Sequence, residues 1–585
     1  MFTPTKFVSR VAFVAALAIA PSVMAQPQGS FPTTPSPTEG EDKPKGVAEA
    51  APKGASLLPT TQVLPPLRER GKKFRLVEID GYLRLRMEWL KNYHMGFNDQ
   101  VDEGGAPFPR PLSCQPLNDG DTVARPCKGS FNSSNMRLRL EPTFHVSESA
   151  TIHTQIDLLD NQVLGATPFR DGQVVGGLVD STGTSSDSIV VKRAWASVYT
   201  PLALLEFGRM PNHWGLGMLH NSGGADPIHQ TYNYNGDFGD TIDRIALSNT
   251  IPGTNLRGMV AMDWPFSGLS TDDLTTGQAA TGYGQGWDLD DSNDSKQWTI
   301  AVSRLDPDRE FREDVASGQL AYNYGIHFSF RKQSWDDVIG GTDEPNGSTL
   351  VPRSASALIP DLWLRLGKGN MSLELEGAAT LGSIDNLSDQ AVSNSADLIQ
   401  LGAVARFGAH WMNERLKFGF ETGYASGDSA DSDVPGNVHI STKSRIPSQG
   451  DTKYSLFAFD RDYHVDMIYF RQIAGAVHNA VYLRPSLSFD FAKAFRISAT
   501  NITSFAARPV ATPGNEAPLG TEFDVAFSFE GEALSLGIGY GLFIPFAGLD
   551  HLTSDINNEG FGFSSINLGD ASNAQTFQFN ATLKF

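Results

Sequence analysis

Gln575-Thr-Phe-Gln-Phe-Asn-Ala-Thr-Leu-Lys-Phe585 decides the fold, because its residues alternate strictly in character. Phe577, Phe579, Ala581, Leu583 and Phe585 fall on one set of positions, and Gln578, Asn580, Thr582 and Lys584 on the other. Successive side chains of a strand point to opposite faces, so this stretch has one apolar and one polar face. Its length suits a tilted strand crossing the hydrocarbon layer of a bilayer, which takes about 9–11 residues. An edge strand of a soluble sheet alternates in the same way, so the rest of the chain has to discriminate.

From Phe74 onward the same unit recurs. Gly81-Tyr-Leu-Arg-Leu-Arg-Met-Glu-Trp89 sets Leu83, Leu85, Met87 and Trp89 against Arg84, Arg86 and Glu88. Met136–Glu141 repeats it with Arg137 and Arg139, and Thr151–Leu158 places His153, Gln155 and Asp157 on one polar face. Tight turns are expected around Thr200-Pro201, Pro252-Gly253, Lys368-Gly369-Asn370, Met412-Asn413, Ala492-Lys493 and Gly531. Between these hairpins lie long polar stretches, near 91–134, 162–188, 212–240, 265–296, 427–475 and 545–573. Short connections therefore fall on one end and long ones on the other, with only the link near 306–319 of intermediate length. The total is about eighteen strands, an even number as in single-chain bacterial membrane barrels. In hydrocarbon every backbone amide needs a partner, and a closed barrel alone lets strands satisfy that without an edge. The expected fold class is thus all-β, a transmembrane antiparallel barrel. A β-solenoid is the rival, but no fixed sequence period supports one.

Composition agrees. The 585 residues include 57 Gly and 36 Phe, only 19% are charged, and the mean hydropathy of -0.24 is far from that of a helical membrane protein. A net charge of -20 makes nucleic acid an improbable partner. Residues 1–25 read as a secretory signal: Lys6 and Arg10 precede the apolar run Val11–Ala20 and an A-x-A-like site, Val23-Met24-Ala25. Residues 26–73, rich in Pro, Ala and Thr, read as a disordered periplasmic leader, and 74–585 as the barrel with long outer loops. Cys114 and Cys127 are close enough in sequence to form one disulfide, and without histidines nearby they make a poor zinc set.

A strand ending on Phe585 resembles the closing strand of bacterial outer-membrane barrels. That resemblance implies Sec export to the outer membrane of a Gram-negative cell, recognition by the barrel assembly machinery, and contact with lipid and lipopolysaccharide. Glu522-Phe-Asp-Val with Leu534–Phe546, and Phe420–Asp428 with Phe459-Asp-Arg-Asp-Tyr463, resemble parts of alginate-export-type barrels. Gly208–Met218 and Gly239-Asp-Thr-Ile-Asp-Arg244 resemble a myxobacterial porin-like family without assigned function. Both resemblances imply an eighteen-stranded pore, and neither carries alginate over as the solute.

On alternation, the candidates to line the lumen are Arg84, Arg86, Glu88, Arg137, Arg139, Asp157, Arg365, Glu374, Glu376, Arg406, Arg484 and Arg496, with Glu421 among the acids. Such arginines can form a guanidinium ladder guiding anionic hydrophilic solutes. They can equally pair with acids on adjacent strands and stiffen a wet wall, and the number of acids favours this second reading. Asp288–Asp294 and Asp428–Asp433 lack the glycine and terminal glutamate of a calcium loop, so no metal and no cofactor is expected. Asn212-His213-Trp214 reads as a loop anchor, with an inward loop or constriction as the alternative. No nucleophile elbow, zinc helix or phosphate loop is present, leaving His153 with Asp157 as the nearest catalytic pair. The expected function is a porin-like channel rather than an enzyme. A loop-plugged binding or adhesion barrel is the main alternative, and a barrel hydrolase a more remote one.

Overall fold

The computed structural model describes residues 76–97, 129–164, 174–175, 178–179, 189–266, 294–337, 350–386, 395–428, 453–551 and 569–585. The signal segment, the leader, both cysteines and nearly all of the two acidic loops lie outside the described residues.

The long strands are β1 (Val77–Lys91), β2 (Ser130–His145), β3 (Ala150–Val163), β4 (Ile189–Tyr199), β5 (Leu204–Pro211) and β6 (Thr241–Thr250). Next come β7 (Leu256–Phe266), β8 (Ser295–Arg304), β9 (Ala321–Asp337), β10 (Leu350–Lys368), β11 (Met371–Ile384) and β12 (Ala396–Trp411). The last six are β13 (Leu416–Ala425), β14 (Ala480–Ala492), β15 (Phe495–Ala506), β16 (Pro518–Glu530), β17 (Leu534–Pro545) and β18 (Ala574–Lys584). Each pairs antiparallel with its sequence neighbours, and β18 returns to pair with β1, so the 18 strands close into one barrel. Leu83 stands opposite Leu583 and Trp89 opposite Phe577, while Gly81 and Phe585 exchange backbone hydrogen bonds of 3.0 and 3.1 Å. A two-residue strand, Lys453–Tyr454, adds to the edge of β12 in parallel.

Alternation sorts the faces as the residue pattern requires. Leu83, Met87, Phe577 and Leu583 are exposed on the outside, whereas Arg84, Arg86, Arg137 and Arg139 between them are buried inside. Outward positions elsewhere carry Ile245, Leu247, Ile300, Ile326, Leu362, Leu401 and Leu487, a surface that hydrocarbon solvates at no cost. A charge there is expensive. Leu583→Arg, or Leu373→Arg on the outer face of β11, is expected to destabilise the refolded barrel by about 2–4 kcal/mol at mid-bilayer depth and less near an interface. Urea titration in lipid vesicles checks this, and neutral effects at both positions would mean that the faces are reversed.

Turns on one end are tight: Ser147–Ser149, Thr200–Ala203, Gly369–Asn370 and Met412–Arg415 close their hairpins with local hydrogen bonds. The intermediate connection after β8 is a helix, α1 (Asp308–Ala316), which buries Phe311 against the barrel mouth. Arg365 lies 4.2 Å over the Phe311 ring and 3.7 Å from Asp308, so one of the predicted lumen arginines serves to seat this helix.

Candidate functional site

Two segments from the long-loop end fold into the lumen and occupy its centre. The first runs from Pro211 to Asp240 and carries a two-residue hairpin, Ala225–Asp226 with Thr231–Tyr232. The second, Lys453–Asn479, carries a short π-helical turn, Tyr469–Ile473. Together with Tyr93, Met95 and Phe97 after β1, their Leu216, Met218, Phe459, Val465, Ile468 and Phe470 form an apolar core inside the barrel. This core sits where a wide porin would hold water. Strand alternation cannot reveal it, because these loop residues follow no period.

On the β1–β2 wall, arginines hold the first segment by its backbone. Arg84 donates to the carbonyls of Tyr234 and Gly236 at 3.1 Å each, and Arg137 donates to those of Gly236 and Asp237 at 2.9 and 3.0 Å. Arg86 binds the Asp237 carboxylate at 2.8 Å and Asn235 Oδ1 at 2.7 Å. Burial by itself works against the Asp237 carboxylate, but Arg86, Arg471 and Arg84 around it hold its pKa well below the usual range. From the second segment, Asp462 accepts the backbone N–H groups of Asp237, Phe238 and Gly239. Both sides of this turn are thereby saturated.

Across the lumen, β11 grips the other end of the same segment. Glu376 accepts the backbone N–H groups of Leu216 and Met218, the latter at 3.2 Å. Glu374 lies 3.0 Å from His229 Nε2, whose Nδ1 is 2.7 Å from Asp226. Burial opposes a charge on His229, but the two carboxylates outweigh it and push its pKa up to about 9. Trp214 inserts against β9, where Gly325 leaves it room: a Cβ at that glycine would sit 2.8 Å from the indole. The segment therefore spans from β1 and β2 to β9 and β11. It is a strut through the lumen.

The second segment is held from β16 and from β12. Glu522 on β16 accepts the N–H groups of Met467, Ile468 and Tyr469 at 2.9, 2.8 and 3.1 Å. Arg406 pairs with Glu421 at 2.9 Å and reaches the Tyr463 hydroxyl at 3.1 Å, while Arg484 lies 3.4 Å from the same Glu421.

The remaining predicted residues form wall pairs. Arg139 makes a two-pronged contact with Asp157 at 2.6 and 2.7 Å, and Arg137 adds Asp160 at 2.6 Å. Arg496 pairs with Asp490 at 2.5 Å. Glu88 is buried inside β1. The barrel thus gathers the charged side chains that alternation assigned to the interior, but it uses the arginines in pairs and loop contacts. The acids that pair across strands were legible in advance, and the backbone carbonyls of the first segment were not. His153 and Asp157 do not form a catalytic pair: His153 stacks on Trp195 with ring centroids 4.9 Å apart, and Asp157 faces Arg139. Asn212-His213-Trp214, read as a loop anchor, is part of the strut. Among the described residues no group of histidines, cysteines and acids is arranged to hold a metal ion.

A small cavity lies beside the strut, lined among others by Glu141, His153, Gln155, Arg193 and Trp195. Next to it Tyr82 packs edge to face on Tyr232 and Tyr234, which tilt against each other, with Lys584 Nζ 5.0 Å over the Tyr234 ring. Burial and the nearby acids, Glu141 first, push the Tyr234 hydroxyl up to about 12, so it remains a neutral donor.

An apolar exterior, a charged interior and strands closed without an edge define a transmembrane β-barrel, here one with its lumen crossed by inward loops. No family model matches the chain and no curated protein does, so the likeness to alginate-export and myxobacterial barrels stays at the level of the short motifs quoted. Among solved structures it is similar to OccK11 (OpdR) of Pseudomonas aeruginosa, at 10% identity, covering 87% of this chain and 96% of that one with a TM-score of 0.42. It is also similar to OccK1 (OpdK) of the same species, at 10% identity, 87% and 98% coverage and a TM-score of 0.41. The outer membrane channel DcaP of Acinetobacter baumannii gives 13% identity, 87% and 97% coverage and a TM-score of 0.33. The barrel itself rests on its own strand register.

Proposed function

We propose that this protein is a narrow outer-membrane channel for passive movement of small hydrophilic solutes. The carrying observation is a closed barrel, apolar outside, whose polar interior is narrowed by the strut between β1–β2 and β11. Export by the secretory route, insertion by the assembly machinery, and contact with lipid and lipopolysaccharide at the outer face follow from that reading. The short-motif likeness to alginate-export barrels supports the pore without choosing its solute or its direction.

In this reading the interior arginines serve structure first. Each guanidinium facing a carboxylate contributes little net field to a passing ion, so the anion preference of the pore is weak. Refolded mature protein in a planar bilayer under a tenfold salt gradient is therefore expected to give small, discrete conductance steps and a reversal potential close to zero. A strongly anion-selective potential would mean that the arginines are available to solute. A barrel that folds but never conducts would favour the second reading, a loop-plugged binding or adhesion barrel, which the apolar core of the two segments also supports.

A further inference from the structure

The two ends of the strut are held by different chemistry. On β1–β2 the strut is held chiefly by guanidinium groups on carbonyls and a carboxylate, with Glu141 accepting from the Tyr232 hydroxyl at 2.7 Å and Tyr82 packed on Tyr232 and Tyr234. On β6–β11 Glu376 holds the backbone of Leu216 and Met218, and further polar contacts run through histidines, whose ordinary pKa puts their change of charge near neutral pH. Four imidazoles meet there. His213, His220 and His229 come from the strut and His327 from β9, with the His220 and His327 rings 5.3 Å apart and Trp214 at the same distance from His327.

The imidazoles differ in their surroundings. His229 lies between Asp226 and Glu374, at 2.7 and 3.0 Å, an arrangement in which both nitrogens donate and the ring is cationic. Arg365 and Arg406 stand behind Glu374. His213 is the opposite case. Its Nδ1 accepts the N–H of Ser222 at 3.3 Å, so a second proton there breaks that bond. Its Nε2 is 3.8 Å from Asp226, and the other groups facing it are His229 and His220. His327 is fully buried with both nitrogens unbonded, facing His220, the Arg244 guanidinium and, across the strand pair, Asp361. A charge on His327 would sit beside Arg244. His220 itself faces Asp240 at 3.1 Å, which Arg193 also contacts through the Asp240 carbonyl.

We propose that the histidine seam between residues 213–229 and the inner wall of β6–β11 is a pH-sensitive seat, which holds the strut at neutral pH and releases it in acid and in strong alkali. The signs are opposite for the two kinds of histidine. Burial lowers the pKa of His213 below its ordinary 6.5, so the released segment takes up a proton that the seated one refuses, and the seat weakens as pH falls below about 6.5. His229 is raised, so its contribution is full below its ordinary value and is lost as pH rises through about 9. The seat is tightest near pH 6.5 and loosens on either side of it. The β1–β2 end, where arginines hold the backbone and His464 of the second segment lies 3.7 Å from Asp462, acts as the hinge.

The test reads the strut directly. Ser222 is buried within it, against the wall, so Ser222→Cys is made in the full-length chain with Cys114 and Cys127 changed to Ser, refolded in vesicles, and treated with a pyridyl disulfide, which reacts with thiols in acid. Rates are normalised to a Thr200→Cys control in an exposed turn. The expected result is slowest labelling near pH 6.5, rising on either side to a rate about tenfold or more faster at pH 5 and at pH 10, one unit of displaced pKa being tenfold in the equilibrium. His213→Asn with His327→Gln should remove the acid limb alone, and His229→Gln should speed labelling at neutral pH. A flat profile overturns the seat. The proposal depends on the channel reading only for its consequence, so the same preparation is also measured in bilayers. pH-dependent labelling in a silent barrel would sink the channel and keep the seat, and steady conductance with flat labelling would do the reverse.

Discussion

Deleting Gly223–Phe238 and rejoining the chain with two glycines is expected to raise single-channel conductance on the order of threefold, because conductance follows the open cross-section of a barrel wide enough to hold water. The deleted residues include the turn that Arg84, Arg86 and Arg137 hold on one wall and His229, which meets Glu374 on the other. With them gone, the three arginines face water, where their charge needs no protein partner. The same variant should turn anion-selective for that reason, moving the reversal potential in a salt gradient towards the anion value. A milder version, Asp462→Ala, frees the three N–H groups of Asp237, Phe238 and Gly239 without shortening the chain and should increase open-channel noise more than mean conductance. Unchanged conductance in the deletion variant would show that the strut does not narrow the path.

Asp157→Ala is expected to cost about 3–5 kcal/mol of barrel stability, the usual penalty for stranding one partner of a buried ion pair. Asp157 is fully buried, takes both prongs of Arg139, and lies 3.8 Å from Arg137. Its removal leaves two guanidinium groups inside the wall with one acid, Asp160, between them. Asp157→Asn keeps the volume and one acceptor and should lose roughly half as much. Urea unfolding in vesicles, followed by the shift of the heat-modified band, reads both. A loss under about 1 kcal/mol would mean that water reaches Arg139 from the lumen, so the wall there borders the permeation path instead of being sealed.

These two variants probe the two uses of the interior arginines, and only one of those uses was legible in the residues. Arg139 with Asp157 and Arg406 with Glu421 are cross-strand neighbours, and pairing of opposite charges across a strand pair follows from alternation and register alone. Arg84 and Arg86 have no acid opposite them on β2 or β18: they face Arg137, Asn135, Thr582 and Asn580. Their partners lie about 150 residues away in a loop, so no local pattern announces them. Asn212-His213-Trp214 illustrates the same limit. Its sequence position marks a loop, and the direction in which that loop turns depends on Gly325 and Glu376, which belong to other strands.

What the amino-acid order determined by itself is the barrel: which residues form strands, which face of each meets lipid, and at which end the long loops emerge. That follows because side-chain alternation and turn chemistry are local, and because hydrocarbon outside leaves backbone pairing no alternative to closure. The tertiary structure decided what fills the barrel. Whether the interior is open or crossed depends on contacts between residues far apart in the chain, where a carbonyl, a carboxylate or a water molecule can satisfy the same guanidinium, and only their arrangement in space selects among them.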